Sequence, residues 1–397
     1  MERQVLEEVL KKFDSDESVT KLLDISIEPA LKKGENYMSD IIRVKTNVVL
    51  GNGRTIKRSF IIKKKIEGYV MNDVAKELDI FRLEAMMYNV VLKEMEYIMK
   101  EFEDTGEVIW CQLYDQGPTF LLMEDLKASG YILADRKTGL GLEDGQYILH
   151  NLARYHAMAK VLEVRELITK GMVKPFIVLN NRPFIKGIIH SGMVTFSKAI
   201  KESWGSSWED VAEKINIPFD TLCERLKELG KLDETKFNVL NHGDVWPNNI
   251  MMKYNWKNKP VALKILDWQL SHYNSCCFDV MFFLFYSIMP SIRRSNLELL
   301  LKCYHGSLIQ SLDKFGYTGK KPTLEDLTLE FERVSFLGYC LYCSEFPALV
   351  TDLMDGYDIG GVMDDGSEGG YSMDVYKDER LIDKIGPDIR IFAEKFL

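Results

Sequence analysis

Two aspartates and an asparagine stand out by type and spacing. In His242-Gly243-Asp244-Val245-Trp246-Pro247-Asn248-Asn249, Asp244 and Asn249 share one polar stretch, and Asp267 closes the apolar run Lys264-Ile265-Leu266. Phosphoryl transfer from ATP needs a carboxylate to orient and deprotonate the acceptor hydroxyl. It also needs oxygen ligands for Mg²⁺ that bridge the phosphates. These three side chains supply such groups. A carboxamide at Asn249 adds a metal ligand without adding charge, which limits repulsion among two carboxylates and a triphosphate.

Elements of the right kind surround them. Ile250 to Tyr254 and Val261 to Leu266, joined by the polar NWKNKP, read as a hairpin that returns Asp267 to the cleft edge carrying Asp244. Upstream, residues 1–25 read as an amphipathic helix (Val5, Leu6, Val9, Leu10, Phe13). Ser39 to Leu50 and Arg54 to Ile66 form a second hairpin around Gly51-Asn52-Gly53. Asp73 to Lys100 carries a helical period, and Val108 to Leu126 gives two more strands around Gly117-Pro118. Helical periodicity then dominates at 143–166, much of 185–236, 278–350 and 376–397. Asp352 to Tyr371 has the Gly-rich, acidic composition of a loop. The expected class is α+β: a small antiparallel-sheet lobe over 1–126, then a larger, mostly helical lobe over 127–397.

Composition excludes several functions. A chain of 397 residues is too long for one core, so two lobes with a cleft are expected. The formal charge, 51 − 60 = −9, argues against nucleic acid or an anionic membrane as partner. The longest apolar stretch, Phe278 to Pro290, falls short of the roughly 20 residues that span a bilayer. The charged N-terminus lacks the apolar centre of a signal peptide, so a cytoplasmic location is expected. Seven cysteines, an odd number, fit reduced thiols. Cys340 and Cys343 form a C-x-x-C inside the apolar FLGYCLYC and read as buried structural thiols, not as zinc ligands.

The pattern H-G-D-x-W-x-x-N, followed by an apolar strand ending in L-D-W-Q, resembles the protein-kinase-like small-molecule kinases, which include aminoglycoside phosphotransferases and choline kinases. HGDVWPNNIMMKY is most similar to the insect ecdysteroid kinase-like family. KGENYMSDIIRV, SFIIKKK, FRLEAMMY, FLLMEDL, LARYHA and FDVMFFLFYS follow in the family's order, so the resemblance covers nearly the whole chain. It implies a bilobal protein-kinase-like fold and an ATP- and Mg²⁺-dependent kinase.

By the resemblance, Asp244 is the catalytic base, and Asn249 and Asp267 are the magnesium ligands. Lys63 matches the strand lysine that holds the α- and β-phosphates, with Lys64 and Lys65 as rivals in register. Glu84 matches the helix glutamate that pairs with that lysine. Gly34, Asn36 and Ser39 fall where the family has its phosphate-covering loop. Glu124, Asp125 and Leu126 resemble the inter-lobe hinge, where adenine meets backbone N–H and C=O groups. His242 reads as a structural part of the loop, bonded to backbone, and His150 and His156 as packed on their helix. Asp279 resembles the aspartate that ties the catalytic loop down. Trp246 suits stacking on a ligand and support of the loop equally.

The acceptor implied is a small-molecule alcohol, an ecdysteroid first or a xenobiotic. A cationic choline- or aminoglycoside-type acceptor and a catalytically silent pseudokinase are the alternatives. A protein kinase is disfavoured, because H-G-D replaces H-R-D and no D-F-G follows. Oligomeric state is not legible.

Overall fold

The computed structural model describes residues 7, 19–30, 39–65, 80–173, 176, 179, 181–350 and 371–397. Gly34, Asn36 and the segment 352–370 lie outside the described residues. By their contacts the residues form two compact units, Met1–Ala75 with Trp110–Ile132, and Lys76–Ile109 with Leu133–Leu397.

The first unit is a five-stranded antiparallel sheet of β1 (Val19–Pro29), β2 (Ser39–Leu50), β3 (Thr55–Lys65), β4 (Leu113–Gly117) and β5 (Phe120–Glu124), in the order β1-β2-β3-β5-β4. The expected hairpin forms around Gly53, whose φ of +80° suits glycine. Val44, Val48, Phe60, Ile62 and Leu122 alternate onto one face of the sheet and build its core with Val19 and Leu22.

One expectation is overturned here. The helix expected over 1–25 cannot extend past residue 18, because Val19 to Pro29 pairs with β2. Buried Val19 and Leu22, with half-buried Ile25, recur every third residue, as on a helix face. The spacing arises from two register shifts, between Val19 and Lys21 and between Leu22 and Asp24, which break strand alternation.

The second unit is mostly helical. It begins with α1 (Ile80–Met86), a π-helical turn (Met87–Val91) and α2 (Leu92–Glu101). The long α3 (Leu142–Val164) and α4 (Pro290–Lys314) pack together, with α5 (Leu324–Ser344) beside α4. Two strand pairs interrupt the helices: β6 (Asn238–Asn241) with β9 (His272–Ser275), and β7 (Ile250–Tyr254) with β8 (Pro260–Ile265). The architecture is the α+β class expected. Cys340 and Cys343 are buried free thiols, as read from the sequence. No helix among the described residues is long and apolar enough to cross a membrane.

Candidate active site

The site grows out of the turn after β6. Gly243 has φ +86°, and a Cβ there would stand 2.2 Å from the Leu270 carbonyl oxygen, so only glycine lets the two backbones approach. The turn is anchored from below by Asp279, in the helix Cys277–Tyr286 (α6). Its carboxylate accepts the backbone N–H of His242 at 2.6 Å and of Gly243 at 2.8 Å. His156 of α3 reaches the same carboxylate through Nε2 at 3.1 Å, while its Nδ1 meets the Tyr304 hydroxyl at 2.7 Å. Burial alone would raise the Asp279 carboxyl, but the hydrogen bonds from His156 and the Gly243 N–H, with the charge His156 can carry, leave it below the usual carboxylate range.

His242 is bonded to backbone at both ring nitrogens. The Asp244 N–H donates to Nδ1 at 3.2 Å, so Nε2 carries the proton and donates to the Leu266 carbonyl at 2.9 Å. Burial pushes its pKa down against the pull of Asp279, so the ring is neutral and structural. Its ring lies edge-on to Trp268, at 4.4 Å between centroids.

From Asp244 the chain makes a tight turn, with the Trp246 N–H bonded to the Asp244 carbonyl and the Asn249 N–H to the Trp246 carbonyl. Pro247 starts the short 3₁₀ turn Pro247–Asn249, where its missing N–H costs nothing. Asn249 thereby faces back: its Nδ2 donates to Asp244 Oδ2 at 2.8 Å and to the Asp244 carbonyl at 3.0 Å. With that nitrogen committed, the carboxamide oxygen is what Asn249 can offer a cation.

The hairpin then returns Asp267. Ile250 pairs with Ile265, and the Leu266 N–H donates to the Asn249 carbonyl at 2.8 Å, which sets Asp267 beside the loop. Asp267 holds a left-handed backbone, φ 67° and ψ 63°, unusual for a non-glycine residue and of the kind found at functional turns. Gln269 Nε2 donates to its Oδ2 at 3.0 Å. The next residue, Trp268, is fully buried, and the turn 268–270 packs against α1, the helix carrying Glu84. Glu84 itself is fully buried.

Asp244 keeps an opening to solvent, yet its carboxyl sits well above the ordinary range. Burial is the main cause and the charge of Asp267 the next; hydrogen bonds from Asn249 and the Trp246 indole act the other way, and Glu345 adds a further push upward. Among the described residues no group of three or more His, Cys, Asp or Glu side chains could hold a metal ion. The set here is two carboxylates and a carboxamide. Its mutual repulsion would be removed by a divalent cation, and an all-oxygen set fits Mg²⁺.

In the sheet unit, Lys63 is buried, Lys64 partly so and Lys65 exposed. Ser39 is buried opposite Lys65. The Asp125 carboxylate is taken by Arg43 Nε at 2.7 Å and the Ser59 hydroxyl at 2.5 Å. The Glu124 N–H is bonded to the Gln112 carbonyl, and the carbonyls of Asp125 and Leu126 accept the N–H groups of Ser129 and Tyr131. Sequence reasoning missed the tie of His156 to Asp279 and the acid Glu345 near Asp244. Neither has a local signal, since each partner lies about a hundred residues away.

The chain matches the ecdysteroid kinase-like family over residues 33–317, which takes in Lys63, Glu84 and the whole loop and hairpin. It belongs to that family. As such it is a small-molecule kinase. No curated protein matches it. Among solved structures it is similar to the macrolide 2′-phosphotransferase of Brachybacterium faecium, at 11% identity and TM-score 0.36 over 90% of this chain and 98% of that one. It is also similar to a point mutant of aminoglycoside 2′-phosphotransferase IIIa bound to GDP, at 12% and 0.39 over 98% of both chains. A third likeness is to an amicoumacin kinase in complex with AMP-PNP and Ca²⁺, at 12% and 0.33 over 94% of this chain and 96% of that one. At these scores no site geometry follows from the likeness.

Proposed function

We propose that this family member is an ATP- and Mg²⁺-dependent O-phosphotransferase that phosphorylates a hydroxyl of a small-molecule alcohol, an ecdysteroid first and a xenobiotic next. Phosphorylation would inactivate or store a hormone, or detoxify a foreign alcohol, in the cytoplasm. The observation that carries the reading is the Asp244 carboxylate, fixed by Asn249 at 2.8 Å in a loop that Asp279 holds rigid. A base whose affinity for protons is raised by burial and by the charge of Asp267, yet open to solvent, suits an acceptor hydroxyl.

In this reading Asp244 orients the hydroxyl and takes its proton as the oxygen bonds the γ-phosphorus and ADP leaves. Asn249 and Asp267 would hold Mg²⁺, which when bound neutralises charge on the phosphates. Lys63 is the phosphate-holding lysine, and its burial favours it over Lys64 and Lys65. Glu84 is its partner acid. Gly34, Asn36 and Ser39 cover the phosphates, and Glu124, Asp125 and Leu126 meet adenine through whichever backbone groups the chain does not itself use. Residues 1–126 clamp nucleotide, and 127–397 carry the base and the acceptor pocket.

Incubation with ATP, Mg²⁺ and a panel of ecdysteroids, followed by mass spectrometry, tests the reading. A phosphate ester that forms only with ATP is expected. Unchanged ATP and acceptors across every alcohol tried would defeat it.

A further inference from the structure

Glu345 is an acid that the loop chemistry leaves unexplained. It follows α5 as that helix's C-terminal cap and is only partly exposed. Its side chain is held by a neutral donor, the Tyr286 hydroxyl, at 2.6 Å from Oε2. Tyr286 ends α6 and stacks on Phe282, with ring centroids 4.7 Å apart and planes at 14°, and Phe346 meets it edge-on at 6.4 Å. The next residue, Ser287, donates its hydroxyl to the carbonyl of Val245 at 3.4 Å, one residue after Asp244. The phenol and its carboxylate therefore stand next to the loop that carries the base, near enough for the Glu345 charge to act on Asp244.

Setting a second partly buried carboxylate beside Asp244, with a phenol rather than a cation as its partner, costs stability. Groups kept at such a cost cluster where ligands are recognised. The apolar rings around the pair favour a neutral hydroxyl over an ammonium, because a hydroxyl is far cheaper to strip of water. We infer that Glu345, held by Tyr286, is a specificity-determining residue of the acceptor pocket, accepting a hydrogen bond from a second hydroxyl of a polyhydroxylated acceptor whose first hydroxyl faces Asp244.

The inference rests on the small-molecule kinase reading. It is tested with Glu345→Gln and Tyr286→Phe in the full chain, using ATP with ecdysone, which has several hydroxyls, and with cholesterol, which has one. With Tyr286 taking the amide oxygen, Glu345→Gln turns an NH₂ group to the acceptor in place of a charged oxygen, which should lower the ecdysone-to-cholesterol ratio of kcat/KM about ten- to hundredfold. Tyr286→Phe should move the ratio the same way. The Tm of Glu345→Gln should equal or exceed that of the parent, since a poorly compensated acid is removed. Equal losses for both acceptors, or a lower Tm, would make Glu345 a structural support for Tyr286 and overturn the inference. If the parent phosphorylates neither alcohol, the ecdysteroid reading fails, and the Tm of Glu345→Gln still decides this one.

Discussion

The carboxylate of Asp279 accepts the backbone N–H of His242 at 2.6 Å, joining the first turn of α6 to the start of the loop that carries Asp244. A second oxygen takes the N–H of Gly243. One buried acid thereby fixes the two residues before Asp244, and Asp244 inherits its direction from a helix rather than from its own loop.

Replacing that acid should therefore cost both fold and turnover. In Asp279→Asn an NH₂ group must face one of two buried N–H donors, and the loss should be about 3 kcal/mol or more in urea unfolding. The effect has a pH signature. The Asp279 carboxyl is held below its ordinary value, so the folded state binds fewer protons than the unfolded one, and its contribution is complete above the ordinary carboxylate pKa. The stability gap between parent and variant should shrink as pH falls through the acid range; a gap that widens there would refute the assignment.

Two glycines with left-handed backbones should respond differently to alanine. Gly53, φ +80°, has nothing within 4 Å of where a Cβ would stand, so Gly53→Ala should cost only the backbone preference, about 1–2 kcal/mol. At Gly243, φ +86°, the Cβ would also strike the Leu270 carbonyl at 2.2 Å and His272 Nδ1 at 2.9 Å. Gly243→Ala should be clearly the more destabilising of the two and should abolish turnover, which paired urea melts and a kinase assay would read.

His272 should make the fold acid-sensitive. Stacked on Phe176 at 4.1 Å and donating from Nδ1 to the Leu270 carbonyl at 3.1 Å, it is pushed down to about 4 by burial. Between its ordinary value and about 4 the unfolded chain binds the proton and the folded one does not, so stability falls as pH falls across that window. At roughly 1.4 kcal/mol per pKa unit the loss attributable to His272 is about 3 kcal/mol. His272→Phe should flatten the stability profile over that range, and an unchanged slope would show that other groups cause it.

Much of this was legible in the sequence where chemistry is local. The loop from His242 to Asn249 is a polar motif and the hairpin ending at Asp267 is two apolar runs around a polar turn, and Asp279 was legible as a tether through the family resemblance. The strand Val19–Pro29 was hidden because its two register shifts give its buried residues a helical spacing. The strand His272–Ser275 was hidden because HYNS alternates nothing apolar; it is buried by its partner β6. His156 and Glu345 lie 123 and 101 residues from Asp279 and Asp244, and only folding brings such pairs together.

The role of Asp244 is the centre of the account, and Asp244→Asn tests it most directly. Turnover of ATP with an accepted alcohol should fall about 10²- to 10⁴-fold, while the rise in Tm on adding ATP and Mg²⁺ should persist. Turnover within about tenfold of the parent would contradict the assignment of Asp244 as the base.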